Sequence, residues 1–392
     1  MYGKKVKRGI ALKKIGFVTG FRAEYGIVRR YLEYLNNDND IDLQLIVTGA
    51  LLDEKYGHQV DLIYKDGFNV AEEIEVKVDS TSNENVLFSM ADTLKKFAVH
   101  FANNKYDLLI ILGDRYEMLS VATAAAMQRV PILHLHGGEA TYGNYDEFIR
   151  HSITKMSLYH FTATEEYRQR VIQLGEMPDK VFYLGALGAE NCLYIDEENV
   201  EEEVKKLPNK KYFVILFHPE TLTNVDTLTQ TKELLKAING FKEYMFVFIG
   251  TNVDTNSDVI RRSVKDFVDN SENAVYFENL HTDGYHHLLK NSICLIGNSS
   301  SGLIEAPSLG IYTINIGARQ DGRVKGNSVI DVKCESGEIA KAVGKVIEIN
   351  DSVKPVNPYY KKDSALNYYK TTKTLLDRVD NDRDEPKKFY DL

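Results

Sequence analysis

Cysteine is scarce in this chain, and what little there is does not cluster. Cys192, Cys294 and Cys334 stand alone, with no CxxC pair, which excludes a disulfide framework or a structural zinc site and points to a reducing compartment. No apolar run approaches the roughly 18 residues of a membrane span, and 27% of the residues are charged. No secretory leader precedes the first apolar run, so a cytoplasmic protein is expected. Excess basic charge is also lacking. Formal charge is −9, and six cations (Lys4, Lys5, Lys7, Arg8, Lys13, Lys14) fall within residues 1–14. That leader is expected to be an unstructured tail; without it, 42 basic residues face 57 acidic ones, a net −15. A body so acidic binds neither nucleic acid nor anionic membrane well, so an anionic ligand needs a local basic site. The loop after the first apolar run has no GxGxxG fingerprint, and there is no Walker A lysine motif, which argues against NAD enzymes and P-loop NTPases.

What the 392 residues do contain is a repeated grammar: a short, solid apolar run, a polar or glycine-bearing turn, then an amphipathic stretch of helical length. The runs are Ile15–Gly20, Ile41–Gly49, Ile74–Val78, Leu108–Gly113, Ile132–His136, His160–Thr164 and Val181–Leu184. In Val86–Ala102, Leu87, Met90, Leu94, Phe97 and Phe101 recur every three or four residues, the period of a helix. Strands that read as unbroken apolar runs between helices belong to parallel sheets covered on both faces. A dense charge run at Glu197–Lys211 interrupts the rhythm and is expected to be a linker. The grammar then restarts with Tyr212–His218, Met245–Gly250, Ala274–Phe277, Ile293–Gly297 and Tyr312–Ile316. The expected class is α/β, with two doubly wound Rossmann-like domains over residues 15–196 and 211–360. A final helix, 364–379, is expected to return to the first domain.

Ligands of open parallel sheets bind beyond the carboxyl ends of the strands. In the second half the run Asn298-Ser299-Ser300-Ser301-Gly302 is the best phosphate site, because small residues opening a helix offer N–H groups and hydroxyls to an anion. Arg319 and Arg22 at other strand exits add charge-assisted bonds, and Glu305, one turn on, suits ribose hydroxyls. In the first half Asp114, Glu139 and Asp146 place three carboxylates on adjacent exits, a set suited to proton transfer or to stabilising a developing cation. Their alternative roles are ion pairs and helix caps, Asp146 above all. His134 and His136 share a strand face near Glu139; a metal site is conceivable there, but a hydrogen-bonded His134 and an acid, base or substrate-binding His136 are preferred. His218, before Pro219, reads as a ligand contact. His286 and His287 are expected on a helix surface, without a role.

The order VTGFRAEYG, GDRYE, HLHGGE…NYDEFIRHSITK, FHPET, GNSSSGLIEAPSLG and INIGARQDGR closely resembles the hydrolysing UDP-N-acetylglucosamine 2-epimerases, the bacterial type that begins sialic acid synthesis. The likeness runs from about Ile15 to Val332 and on to the last helix. It implies a GT-B-like fold with a cleft between the domains, and a homodimer or dimer of dimers. It also implies that Arg22, Ala23, Arg115, His218, Asn252, Ser299, Ser300, Glu305 and Arg319 hold UDP. Asp114, Glu139, Asp146, His136 and His218 form the catalytic set, with UDP-sugar and water as the only partners and no cofactor or metal. One departure matters: some members of the wider family carry glutamate where this chain has His136, so the acid/base role falls either to His136 or to Glu139. The alternatives are a related epimerase of a UDP- or GDP-linked diacetamido-trideoxy sugar and a glycosyltransferase.

Overall fold

The computed structural model describes residues 12–54, 57–142, 145–209, 211–220, 225–250, 257–349 and 354–392. Contacts divide the chain into two units. One contains the residues up to Glu139 with Asp146–Leu187 and Lys361–Leu392; the other contains Ala140–Tyr145 and Gly188–Tyr360.

The first unit is built on a seven-stranded sheet. Its strands are β1 (Lys13–Thr19), β2 (Ile41–Thr48), β3 (Val70–Ile74), β4 (Leu108–Leu112), β5 (Ile132–Leu135), β6 (Tyr159–Thr162) and β7 (Val181–Tyr183), in the order β3-β2-β1-β4-β5-β6-β7. Every neighbouring pair is parallel. Parallel pairing requires a crossover at each step, and the helices supply it, covering both faces. All five residues of β4 are therefore buried. The helix Ser364–Leu376 packs on the first helix, Arg22–Asn36. Its Tyr368 meets Tyr31 edge-on, and Tyr31 Oη lies 2.6 Å from Thr372 Oγ1.

The second unit repeats the plan with six strands, β8 (Tyr212–Leu216), β9 (Met245–Ile249), β10 (Ala274–Phe277), β11 (Cys294–Gly297), β12 (Tyr312–Ile316) and β13 (Val329–Val332). Their order is β10-β9-β8-β11-β12-β13, again all parallel. Both sheets are doubly wound, and each reverses direction once. The reversal lies between β1 and β4 in the first sheet and between β8 and β11 in the second. Adjacent crossovers diverge at such a point and leave a crevice at the strand ends.

Three expectations need correction. Residues 1–11 lie outside the described residues, but Lys13 and Lys14 are no tail: they open β1. The Lys14 N–H donates to Asp107 at 2.7 Å, and Lys13 Nζ reaches Asp380 at 3.0 Å. The charge run is no linker either. It forms short helical turns, Glu197–Asn199 and Glu202–Lys205, because Val200 and Val204, four residues apart, bury in the second unit's core while Glu202 and Glu203 between them face water. The change of unit comes earlier, at Gly188. Finally, β3 ends at Ile74, where the apolar run was expected to begin; its pairing with β2 at the sheet edge decides its span, and polar residues are tolerated there.

Candidate active site

In the first unit the site residues sit where β1, β4 and β5 end. Beyond β1, the Gly20 N–H donates to Glu24 Oε2 at 3.1 Å, closing the loop that carries Arg22 and Ala23 into the first helix. Loss of hydration pushes the Glu24 carboxyl up to about 7, against the pull of the nearby Arg115. The Arg115 guanidinium lies 3.6 Å above the centre of the Phe21 ring and reaches the buried Glu117 through Nε (3.3 Å) and Nη2 (3.4 Å). Two arginines and a carboxyl able to hold a proton near neutrality thus share the reversal point of this sheet.

Asp114 follows Gly113 at the end of β4. Its partner is Arg150, whose side chain is 0% exposed. Arg150 stands on the helix Asp146–Met156, with Asp146 in the first turn. Its Nε donates to Asp114 Oδ2 at 2.9 Å and Nη2 donates to the same oxygen, while Nη1 donates to the Glu139 carbonyl (2.7 Å) and to Glu147 Oε2 (3.1 Å). A buried guanidinium with its donors so engaged fixes three chain segments around one charge. Sequence reasoning placed Arg150 in no role, because its partner is 36 residues away.

The two histidines after β4 differ sharply. His134, within β5, uses both ring nitrogens: Nε2 donates to the Gly113 carbonyl at 2.8 Å, and Nδ1 lies 3.1 Å from Thr154 Oγ1. Burial pushes its imidazole down to about 3, so it is neutral and structural. His136, just beyond the strand, has a left-handed φ of 66°. Its Nδ1 lies 3.0 Å from Glu139 Oε1. Its Nε2 is buried with no hydrogen-bond partner among the described residues. The turn between them requires Gly138 (φ 80°), where a Cβ would lie 2.3 Å from the Tyr167 carbonyl oxygen.

In the second unit the reversal point is organised by Asn298, which the sequence reading saw only as part of the serine run. Its Oδ1 accepts from the His218 N–H (2.7 Å) and its Nδ2 donates to the His218 carbonyl (2.9 Å), locking the exits of β8 and β11 together. The Asn298 carbonyl accepts from Arg319 Nη1 (3.0 Å) and Gln320 Nε2 (2.7 Å). Glu220 Oε1 accepts the Ala318 and Arg319 N–H groups, fixing the loop after β12. Arg319 Nε is buried without a partner among the described residues. Ser299 and Ser300 lead into a helix of a single turn, Ser301–Ile304. Attraction for an anion there comes from local N–H groups, hydroxyls and Arg319, since a macrodipole needs a longer helix. Asn252 lies outside the described residues.

Glu305 brings a further correction. His286, expected on a surface, is buried, and its Nε2 faces Glu305 Oε2 at 3.6 Å. Ser301 Oγ donates to the same carboxylate oxygen at 2.7 Å, and Tyr285 Oη lies 2.6 Å from Ser301 Oγ. Although burial opposes it, the pairing with His286 and Ser301 holds the Glu305 carboxyl below its usual range. His287, by contrast, is partly exposed and meets Glu197. Among the described residues, no three His, Cys, Asp or Glu side chains group as metal ligands, and no helix is long and apolar enough to cross a membrane.

The family profile described as UDP-N-acetylglucosamine 2-epimerase matches residues 33–372. The polysialic acid biosynthesis protein P7 of Escherichia coli is 47% identical over 389 residues, 97% of this chain and 98% of that protein. The GDP/UDP-N,N'-diacetylbacillosamine 2-epimerase (hydrolyzing) of Campylobacter jejuni is 36% identical, covering 81% of this chain and 84% of its own. Among solved structures, the UDP-GlcNAc 2-epimerase of Neisseria meningitidis bound to UDP-GlcNAc superposes with a TM-score of 0.78 at 18% identity, over 92% of this chain and 100% of that one. The two doubly wound, parallel-sheet units are thus of the GT-B-like kind. Carrying the family's sequence over more than four fifths of its length, the chain belongs to the UDP-N-acetylglucosamine 2-epimerase family.

Proposed function

We propose that this protein is a hydrolysing 2-epimerase that converts UDP-N-acetylglucosamine and water to N-acetylmannosamine and UDP, the first step of sialic acid synthesis. The hydrogen on carbon 2 has no neighbouring carbonyl, so a side chain cannot remove it directly. Departure of UDP from the anomeric carbon leaves an oxocarbenium-like centre, which makes the adjacent C–H far more acidic. Elimination then gives 2-acetamidoglucal, and hydration with protonation on the opposite face of carbon 2 gives the epimer. In this reading Arg22, Arg115, Arg319, Ser299, Ser300 and His218 hold the nucleotide and take up the leaving charge. Glu305 accepts from ribose hydroxyls. Asp114, His136, Glu139 and Asp146 act on the sugar.

The observation that carries the reading is the Asp114–Arg150 pair. A strand-end carboxylate held in place by a buried guanidinium is suited to stabilising a cationic sugar centre. The family description favours N-acetylglucosamine as the substrate, and similarity to the Escherichia coli polysialic acid biosynthesis protein favours the sialic acid route. A second reading, a UDP- or GDP-linked diacetamido-trideoxy sugar, is favoured by the relatives from Campylobacter jejuni and Legionella pneumophila, at 36% and 32% identity. Incubation with each nucleotide sugar in deuterated water tests both. Free UDP with N-acetylmannosamine deuterated at carbon 2 is expected; product without deuterium, or a UDP-linked epimer with no UDP released, refutes the hydrolysing route. We also propose that a second copy of the chain covers the outer face of the helix Asn83–Asn103, where Leu87, Phe88 and Val99 are exposed. Light scattering on Phe88→Glu tests this.

A further inference from the structure

We propose that His136 is the base that takes the proton from carbon 2, and that Glu139 is the positioning residue that holds its imidazole in the working tautomer. This rests on the epimerase reading above and assigns the proton transfer within it. A neutral imidazole has one N–H and one bare nitrogen. Nδ1 lies 3.0 Å from a carboxylate oxygen of Glu139, and an ionised carboxylate only accepts, so Nδ1 carries the hydrogen. The lone pair therefore sits on Nε2, which is buried and has no hydrogen-bond partner among the described residues. His134, on the same strand, shows what a structural histidine does here: it engages both nitrogens.

The backbone fixes where the imidazole sits. His136 holds a left-handed φ of 66°, a conformation histidine adopts more readily than most residues. Its N–H, donating to the Phe161 carbonyl at 2.8 Å, keeps it there. Asp114 competes poorly for the role, because two donors of Arg150 already occupy its Oδ2. A carboxylate that orients a histidine through Nδ1 while Nε2 does the chemistry is a recurring catalytic arrangement.

The step balances as follows. Nε2 takes the proton from carbon 2, and the C–H electron pair becomes the C1–C2 double bond. The C1–O bond breaks, and its pair leaves on UDP. The products are 2-acetamidoglucal, UDP and an imidazolium, which returns its proton to solvent. In the second half-reaction the C1–C2 π pair takes a proton at carbon 2 on the other ring face, and water oxygen adds to carbon 1 and releases its extra proton to solvent. The proton taken at carbon 2 must come from a different group, and Asp146 is the remaining carboxylate.

The test uses the full-length protein with His136→Asn and Glu139→Gln. Asparagine is chosen because it tolerates left-handed φ. His136→Asn is expected to slow UDP release from UDP-N-acetylglucosamine by about 10²- to 10⁴-fold. It should leave UDP affinity within about twofold by calorimetry and still hydrate supplied 2-acetamidoglucal. Glu139→Gln is expected to lower kcat with little change in KM, and by less than the histidine variant. Nitrogen NMR of histidine-labelled protein, with His136 assigned by its loss in the variant, should show N–H at Nδ1 in the wild type and a shifted tautomer ratio in Glu139→Gln. UDP release by His136→Asn near the wild-type rate, its loss of glucal hydration with elimination retained, or a wild-type Nε2–H tautomer each overturns the proposal. The tautomer measurement needs no substrate. If wild-type protein fails on every nucleotide sugar while Nδ1 carries the hydrogen, the epimerase reading fails and the geometry stands.

Discussion

Arg150, fully buried, and Asp114, partly exposed and 36 residues away in sequence, form one ion pair in which two guanidinium nitrogens donate to a single carboxylate oxygen. The same guanidinium reaches the Glu139 carbonyl, so the residue that positions Asp114 also fixes the turn that carries His136 and Glu139.

Removing either partner has different consequences. Asp114→Asn keeps the shape, and an amide oxygen can still accept from Arg150. Turnover should fall by orders of magnitude, with the circular dichroism spectrum unchanged. Arg150→Met strands a carboxylate and should cost about 3–5 kcal/mol of stability, read from denaturant titration. An Asp114→Asn enzyme within a few-fold of wild type removes Asp114 from the reaction.

The residues proposed to hold the nucleotide are probed by binding alone. Ser300→Ala should weaken UDP by roughly 0.5–1.5 kcal/mol, or up to about 3 if the hydroxyl meets a charged oxygen, measured by titration calorimetry. His286→Ala removes the group facing Glu305 Oε2 and should weaken UDP as well, while 2′,3′-dideoxy-UDP, lacking the hydroxyls assigned to Glu305, should bind wild type and variant alike. Equal losses for both nucleotides would show that Glu305 does not act through the ribose.

Glu176 sets an acid limit to stability. Burial works against its ionisation, but His160, Lys387 and Lys155 outweigh this and hold its carboxyl down to about 2, from 4.5. A folded value below the unfolded one means that the stabilisation is complete above pH 4.5 and is lost as pH falls from there towards 2. Its size is at most about 3 kcal/mol. Glu176→Gln should thus be less stable than wild type at pH 7, with the gap closing on acidification. A gap independent of pH refutes the assignment.

Glu24 works in the opposite direction. Its carboxyl is raised from 4.5 to about 7, mainly by lost hydration. Its burial is therefore tolerated below pH 4.5 and becomes destabilising as pH rises through 7. Glutamine can still accept the Gly20 N–H, so Glu24→Gln should melt higher than wild type at pH 8 and show little or no gain at pH 4. The same gain at both values would mean that proton loss is not the cause.

Much of this architecture was legible from periodicity. Solid runs such as Leu108–Leu112 are buried on both faces because crossover helices cover them, and the polar residues that end each run are the candidate site residues by the logic of parallel sheets. What stayed hidden depended on partners distant in sequence. Arg150 reads as an ordinary helix charge until Asp114 is placed beside it. His286 and His287 look equivalent in sequence, and only packing buries the first against Glu305 and leaves the second partly exposed. The charge run at 197–211 hid Val200 and Val204, whose burial makes it part of the second unit.

The sequence by itself determined the class of fold, the two sheets and the set of strand-end residues, because hydrophobic period and turn chemistry are local properties. The tertiary structure alone decided the state of each group at those ends: which carboxylate is pinned by an arginine, which histidine spends both nitrogens on the scaffold, and which keeps one without a partner among the described residues. Charge state and hydrogen bonding follow from desolvation and from neighbours brought together by folding, and neither is written in the spacing of residues along the chain.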